Sequence, residues 1–283
     1  MTERNALANA KVNLNLIVQS PASDGYHPIR SLAISVDMAD RLAMAISEED
    51  LFECSAEDLN HEGNLAWRAL VAYRNRSLTH RPIALRLDKR LPIAAGLGGG
   101  SADAAAALVL AKEYFSADLD AEVEIAADLG SDIVFCLQGG FAMLEGRGND
   151  VKPIEPLPED FALGVVTPPF ELSTGAVYRK WDELGEPEGP AIGGDALPPS
   201  MRDYPPLRND LYPAAVAMEP GIAEWRDMVE RTWSRPVFMT GSGPSLAAYF
   251  IDRDEANAAA ASAPSGHRGS FAAEPVGSGV VLV

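Results

Sequence analysis

Four glycines, Gly96, Gly98, Gly99 and Gly100, fall within five consecutive positions, followed by Ser101 and a run of strong helix formers from Ala102 to Ala111. Glycine reaches positive φ at little cost and lets another group come close to the backbone. Serine caps a helix well and alanine propagates one. Such a loop turns several free N–H groups and the positive end of a helix dipole toward one point, which suits a phosphate. Two common phosphate loops do not fit. The nucleotide P-loop requires a Gly-Lys pair, and none occurs in the chain. The dinucleotide fingerprint could begin at Gly96 and use Ser101, but it follows an apolar strand, and Leu87-Asp88-Lys89-Arg90-Leu91-Pro92 is a poor one. On glycine content alone, a turn entering a core helix is as good a reading as a phosphate site.

Three other places carry groups able to do chemistry. Lys11 and Asn13 lie on the polar face of a strictly alternating stretch, Lys11 to Val18, whose other face is Val12, Leu14, Leu16 and Val18. Periodicity alone puts that polar face in solvent. Asp132 is a lone acid between the end of one predicted helix and an apolar run, a position usually taken by a cap or turn residue. Met239-Thr240-Gly241-Ser242-Gly243-Pro244-Ser245 is a second glycine turn, and a tight hairpin is its plainer reading.

The elements that must position these groups are a mixture of strands and helices. Apolar runs over Leu32–Val36 and Leu42–Ile46 predict further antiparallel strands after a turn at Asp24-Gly25-Tyr26-His27-Pro28. Asn64 to Tyr73 predicts a helix capped by Asn64, and Ile83 to Leu87 a strand feeding the glycine loop. Asp120 to Leu129 predicts a second helix, closed by Gly130. Strands are expected at Phe141–Glu145 and Phe161–Thr167, with a domain boundary near 152 in the loop between them. Ser173 to Trp181, Leu211 to Met218 and Ile222 to Thr232 predict helices, and Pro236–Met239, Leu246–Ile251 and Gly279–Val283 predict strands. Residues 183–206, rich in glycine and proline, predict an irregular surface excursion. The fold class is α+β, in two lobes of residues 1–152 and 153–283.

Composition narrows the function. With 283 residues, 47% of them hydrophobic and 23% charged, the chain is that of a folded soluble protein. A net charge of −18 argues against nucleic-acid or anionic-membrane partners. An anionic small molecule is still allowed, because the distant field is screened beyond roughly 10 Å. Cys54 and Cys136 stand in no metal-ligand spacing, so two reduced thiols in a cytoplasmic protein are expected. No apolar stretch approaches the ~20 residues of a membrane span.

The segment Pro92 to Ala102 resembles the phosphate loop of the kinase superfamily that contains galactokinase, homoserine kinase, mevalonate kinase and phosphomevalonate kinase. The order of a lysine strand, a central phosphate loop and a C-terminal Gly-x-Gly turn is also similar. Ala10-Lys11-Val12-Asn13-Leu14, Asp24-Gly25-Tyr26-His27, His61-Glu62-Gly63-Asn64-Leu65, Asp88-Lys89-Arg90-Leu91-Pro92, Leu129-Gly130-Ser131-Asp132, Arg208-Asn209-Asp210-Leu211 and Thr240-Gly241-Ser242-Gly243 resemble one member family, the 4-diphosphocytidyl-2-C-methyl-D-erythritol kinases of non-mevalonate isoprenoid synthesis. Two departures are Val134, where that family usually has proline, and the unfamiliar stretch 183–206.

The resemblance implies a two-lobed kinase with an N-terminal ATP-binding lobe and a C-terminal substrate lobe. It implies a catalytic pair, with Asp132 as base and Lys11 holding it ionised and facing the γ-phosphoryl group. ATP contacts are implied for Asn64, Leu65, Lys89, Pro92, Ala94, Ala95, Gly96, Leu97, Gly98, Gly99, Gly100, Ser101 and Ala102. Substrate contacts are implied for Asn13, Tyr26, His27, Asp132, Gly241, Ser242 and Gly243. ATP and Mg²⁺ are the implied cofactors, with no metal ligands assigned, and the expected state is a monomer or weak homodimer acting on small molecules. A non-catalytic nucleotide or sugar-phosphate sensor with the same fold is the alternative.

Overall fold

Residues Ile29–Ile46 form one unbroken strand of 18 residues, and most of the first sheet is assembled on it. The computed structural model describes residues 3–77, 81–115, 121–155, 160–193, 197–202 and 207–283. The first part of the chain forms β1 (Arg4–Asn13), β2 (Ile17–Val18), β3 (Ile29–Ile46), β4 (Leu51–Cys54), α1 (Leu65–Arg76), β5 (Ile83–Asp88), α2 (Gly99–Phe115), α3 (Ala121–Leu129), α4 (Ser131–Gln138), β6 (Phe141–Glu145) and β7 (Asp150–Pro153). The rest forms β8 (Ala162–Thr167), α5 (Thr174–Glu183), β9 (Ala191–Ile192), β10 (Leu207–Arg208), α6 (Tyr212–Met218), α7 (Gly221–Trp233), β11 (Phe238–Met239), β12 (Leu246–Phe250), α8 (Arg253–Ala261), β13 (Gly269–Ala273), β14 (Pro275–Val276) and β15 (Val280–Leu282).

The first sheet runs β15-β1-β3-β5-β4, with β2, β6 and β14 also paired to β3 and β7 to β6. All its ladders are antiparallel except β4 on β5, and a bulge interrupts β1 between Asn9 and Ala10. On this sheet lies α2, which contacts β1, α1 and α4. Its alanines from Ala102 to Ala111 are fully buried, and such small side chains let a helix approach its neighbours closely on several sides. The second sheet, β11-β12-β8-β13, is antiparallel, and α8 packs on its β8, β12 and β13.

Several expectations need correction. The two strands expected at Leu32–Val36 and Leu42–Ile46 are one, because the polar residues between them are held in place: Asp40 is fully buried by charged and backbone donors. The apolar run after Asp132 is the helix α4, which starts immediately after Gly130. The first residue of the expected second helix, Asp120, lies outside the described residues. The excursion 183–206 is partly internal: β9 pairs with β10, and Ile192, Leu197 and Met201 are buried. Within it, residues 194–196 and 203–206 lie outside the described residues. The boundary expected near 152 falls in β7, and β14 and β15 return from the chain's end to the first sheet. No described helix is long and apolar enough to cross a membrane.

Candidate active site

Lys11 lies near the C-terminal end of β1, and Asp132 in the first turn of α4. The Lys11 Nζ stands 3.0 Å from Asp132 Oδ1, with the lysine side chain 7% exposed and the carboxylate 37%. Lys11 also donates to Asn13 Oδ1 at 3.0 Å, and its backbone N–H donates to the carbonyl of Leu97 in the glycine loop. Asn13 is fixed in turn: its amide donates to Ser31 Oγ, and its backbone N–H donates to Thr240 Oγ1 at 2.8 Å. Lys11, Asn13 and Asn15 are all buried, so the polar face that alternation put in solvent is covered. The covers are the glycine loop on one side of the strand's end and the second glycine turn on the other.

The two glycine segments interlock. Ala94, Gly96 and Gly98 adopt positive φ, at 51°, 76° and 68°. A Cβ on Gly96 would stand 2.4 Å from the Thr240 carbonyl oxygen, and one on Gly98 would stand 2.7 Å from Lys11 Cγ. Ser245 donates its backbone N–H to the Ala95 carbonyl at 3.2 Å, and a Cβ on Gly241 would meet the Gly96 carbonyl. The second turn is the β11–β12 hairpin. Asn209 pins it by donating to the carbonyls of Met239 and Gly241, and Ser242 Oγ lies 2.9 Å from Thr174 Oγ1 at the start of α5. Gly99 and Gly100 already belong to α2, so of the four loop glycines only Gly96 and Gly98 need the left-handed region. Gly100 is exposed with no protein atom within 4 Å of a Cβ placed there.

Asn64 caps α1: its side chain accepts from Ala66 N and donates to the Leu59 carbonyl. Leu65 packs against the core of the first lobe. Lys89 is enclosed. Its ammonium contacts Asp40 Oδ2 and stands 2.8 Å from Asp103 Oδ2, and the side chains of Lys89, Asp40 and Asp103 are 6%, 0% and 3% exposed. Burial disfavours a charged lysine, but the two carboxylates outweigh it and raise the Lys89 pKa above its ordinary value. Burial likewise dominates at Asp103, whose pKa is pushed up to about 8 despite the neighbouring ammonium.

Tyr26 and His27 have different surroundings. The Tyr26 ring is 57% exposed, with the Arg147 guanidinium 3.9 Å from its centroid. Arg147 also pairs with Asp24, which accepts the Tyr26 N–H; that bond and the guanidinium lower the Asp24 pKa. His27 is wedged between Tyr178, stacked at 5.2 Å, and Trp181, edge-on at 5.5 Å. Its Nδ1 stands 3.0 Å from the Gln19 carbonyl and its Nε2 3.4 Å from Asp182 Oδ2. Burial, and then the Asp132 charge, keep the Tyr178 hydroxyl protonated well above its usual range.

The pattern of the GHMP kinases N terminal domain matches residues 64–140, which contain α1, the glycine loop and Asp132. A 4-diphosphocytidyl-2-C-methyl-D-erythritol kinase of Caulobacter sp. (strain K31) is 41% identical over 257 residues, covering 84% of this chain and 86% of that protein. The chain belongs to the 4-diphosphocytidyl-2-C-methyl-D-erythritol kinase family. A relative of the same name from Bacillus subtilis (strain 168) is 32% identical over 248 residues, 84% of this chain and 85% of that protein. A crystal structure of a 4-(cytidine 5'-diphospho)-2C-methyl-D-erythritol kinase matches with a TM-score of 0.79 at 30% identity, over 98% of this chain and 100% of that one. A homoserine kinase from Cytophaga hutchinsonii matches at 0.70 and 16% identity, which shows the shared fold.

The chain is therefore a kinase of this α+β fold, and its structure adds residues that sequence reading missed. Tyr178 and Trp181 wall His27 from a helix about 150 residues away, and nothing local in the chain joins them to it. Asp103 lies directly beyond the glycine loop but within an alanine run that drew attention to the helix instead. Asp40 gave no signal beyond interrupting an apolar pattern.

Proposed function

We propose that this kinase transfers the γ-phosphoryl group of ATP to the 2-hydroxyl of 4-diphosphocytidyl-2-C-methyl-D-erythritol, giving the 2-phosphate and ADP for isoprenoid synthesis. The observation that carries the reading is the 3.0 Å Lys11–Asp132 pair directly beside the glycine loop. In this reading Asp132 accepts the hydroxyl proton. Lys11 fixes that carboxylate in place from 3.0 Å and also faces the transferred group. Phosphoryl transfer otherwise depends on positioning and charge stabilisation, which the loop from Pro92 to Ala102 supplies through backbone N–H groups and the α2 dipole. Asn64 and Leu65 lie toward the adenine; Lys89, implied there by the resemblance, is enclosed with its ammonium committed to Asp40 and Asp103. Asn13, Tyr26, His27 and the Gly241-Ser242-Gly243 turn lie on the substrate side.

The proposed lobes are 1–152 for ATP and 153–283 for the substrate, with the division moved off β7 and with β14 and β15 returned to the first sheet, in a cytoplasmic monomer or weak homodimer. Among the described residues no three His, Cys, Asp or Glu side chains are grouped to hold a metal, so no step is routed through one. Mg²⁺ belongs to the reading as a companion of the nucleotide, whose phosphate oxygens supply ligands of their own. A sensor would have no use for a buried lysine kept in register with an aspartate. The test is ADP release against the cytidine substrate, mevalonate, homoserine and galactose. Turnover with the cytidine substrate alone is expected; preference for any other acceptor, or no ADP from the four, overturns the assignment.

A further inference from the structure

We propose that Asp40, Lys89 and Asp103 form a positioning triad that holds both ends of the glycine loop from beneath and so sets its geometry for ATP. The inference rests on the glycine loop being the phosphate loop. Lys89 stands three residues before Pro92, and Asp103 two residues after Ser101, so the pair brackets the loop. Asp40 comes from the middle of β3 and is the common anchor. Its Oδ1 accepts the backbone N–H groups of Arg90 at 2.5 Å and Leu91 at 2.9 Å, which fixes the chain entering the loop. Its Oδ2 binds the Lys89 ammonium, which binds Asp103 Oδ2 at 2.8 Å and so fixes the helix turn leaving the loop. Gly99 fits the same device: a Cβ there would stand 3.3 Å from Lys89 Nζ and 3.6 Å from Asp40 Oδ2. The first turn of α2 thus rests on the ammonium because residue 99 has no side chain.

Stability alone does not account for this arrangement. Buried ion pairs recover little beyond the cost of removing their charges from water, and apolar replacements of similar volume are often as stable. The triad gathers an ammonium and two carboxyl groups in a buried place, and Asp103 Oδ1 is buried with no hydrogen-bond partner. What the charges supply is directional: a β-strand, the chain entering the loop and the helix turn leaving it are joined through three side chains. Lys89 is then a positioning residue whose ammonium acts on the loop and not on the nucleotide.

The test uses the full-length enzyme with Asp40→Asn, Asp103→Asn, the double variant Lys89→Met/Asp103→Asn, and Gly100→Val as a probe of the loop itself. The double variant removes the ion pair together and leaves Asp40 its two backbone donors, so it keeps the question open to measurement if a single variant does not fold. Melting temperature, kcat, and KM for ATP and for the cytidine substrate are read for each. In Asp40→Asn and in the double variant, KM for ATP should rise about tenfold, while kcat and the other KM stay within roughly threefold. A folded double variant with the wild-type KM for ATP overturns the proposal, and so does failure of the double variant to fold, which would make the triad structural. Gly100→Val separates the two readings. If it leaves KM for ATP unchanged, the phosphate-loop reading falls; if it raises that KM and the double variant does not, the triad alone falls.

Discussion

A carboxylate acting as a base must be aimed, and in the proposed reaction Lys11 aims Asp132 from 3.0 Å. In the proposed reaction Asp132→Asn keeps the shape of the site and removes the proton acceptor. Turnover should fall about 10²–10⁴-fold with ATP affinity retained, and more than a third of wild-type kcat would remove Asp132 from the mechanism. Gly98 reports on the lysine. Its φ of 68° is strained for any other residue, and an added Cβ would lie 2.7 Å from Lys11 Cγ. Gly98→Ala should therefore lower kcat by at least about tenfold, by moving Lys11 off Asp132, along with some loss of melting temperature. A wild-type kcat would show that the loop yields and the lysine does not. At this scale the types of the reactive residues were legible and their burial was not. Alternation identifies two faces of β1 but not what covers them. Lys11 and Asn13 are covered by segments more than 80 and 200 residues away, the loop reaching Lys11 through Leu97 and the hairpin reaching Asn13 through Thr240, while Asn15 is hydrogen-bonded to Ser31 and Leu32 of β3.

Among the elements, α2 and α5 carry the most consequence. The raised pKa of Asp103 on α2 gives a signed prediction. The folded state binds this proton more tightly than an unfolded chain, where an aspartate titrates near ~3.9. Its contribution to stability is thus complete below that value and is lost as pH rises toward about 8. Lys89, raised from a much higher starting value, adds no change in this window. The melting temperature of Asp103→Asn relative to wild type should rise between pH 5.5 and pH 8.5; a constant difference would show that Asp103 holds no proton there. On α5, Tyr178 stacks on His27 next to Tyr26, and the proposed reading sets the cytosine against this wall. Tyr178→Ala should raise KM for the cytidine substrate by the equivalent of roughly 1–3 kcal/mol, with that for ATP unchanged. Equal loss for both substrates would place the ring in the scaffold instead. Long periodic elements such as α1, α7 and β5 were legible from the chain. Short strands such as β9, β10 and β14 were not, because two residues carry no period. Nor was α4, because an apolar run of a few residues fits a buried strand as well as a helix.

For the molecule as a whole, the mixture of strands and helices was legible, but the pairing of the two ends of the chain was not. Nothing local in Pro275 or Val280 says that these residues pair with β3 and β1 across most of the chain. Their seat is close. Asn9 donates to the carbonyls of Ser278 and Gly279, and a Cβ on Gly139 or Gly279 would lie within 2 Å of the backbone opposite. That seat lies against the C-terminal end of α4, the helix that carries Asp132. Synthesis on a ribosome proceeds from the other end, so a nascent chain can form its glycine loop and Lys11 strand long before the support for α4 exists. Residues 275–282, made after every other described strand of the first sheet, complete the platform under Asp132, and a chain lacking them has an unpaired β1 edge exposed to aggregation. A chain stopped after Glu274 should accumulate in the insoluble fraction and show no turnover; soluble, active protein of that length would show that the platform forms without them.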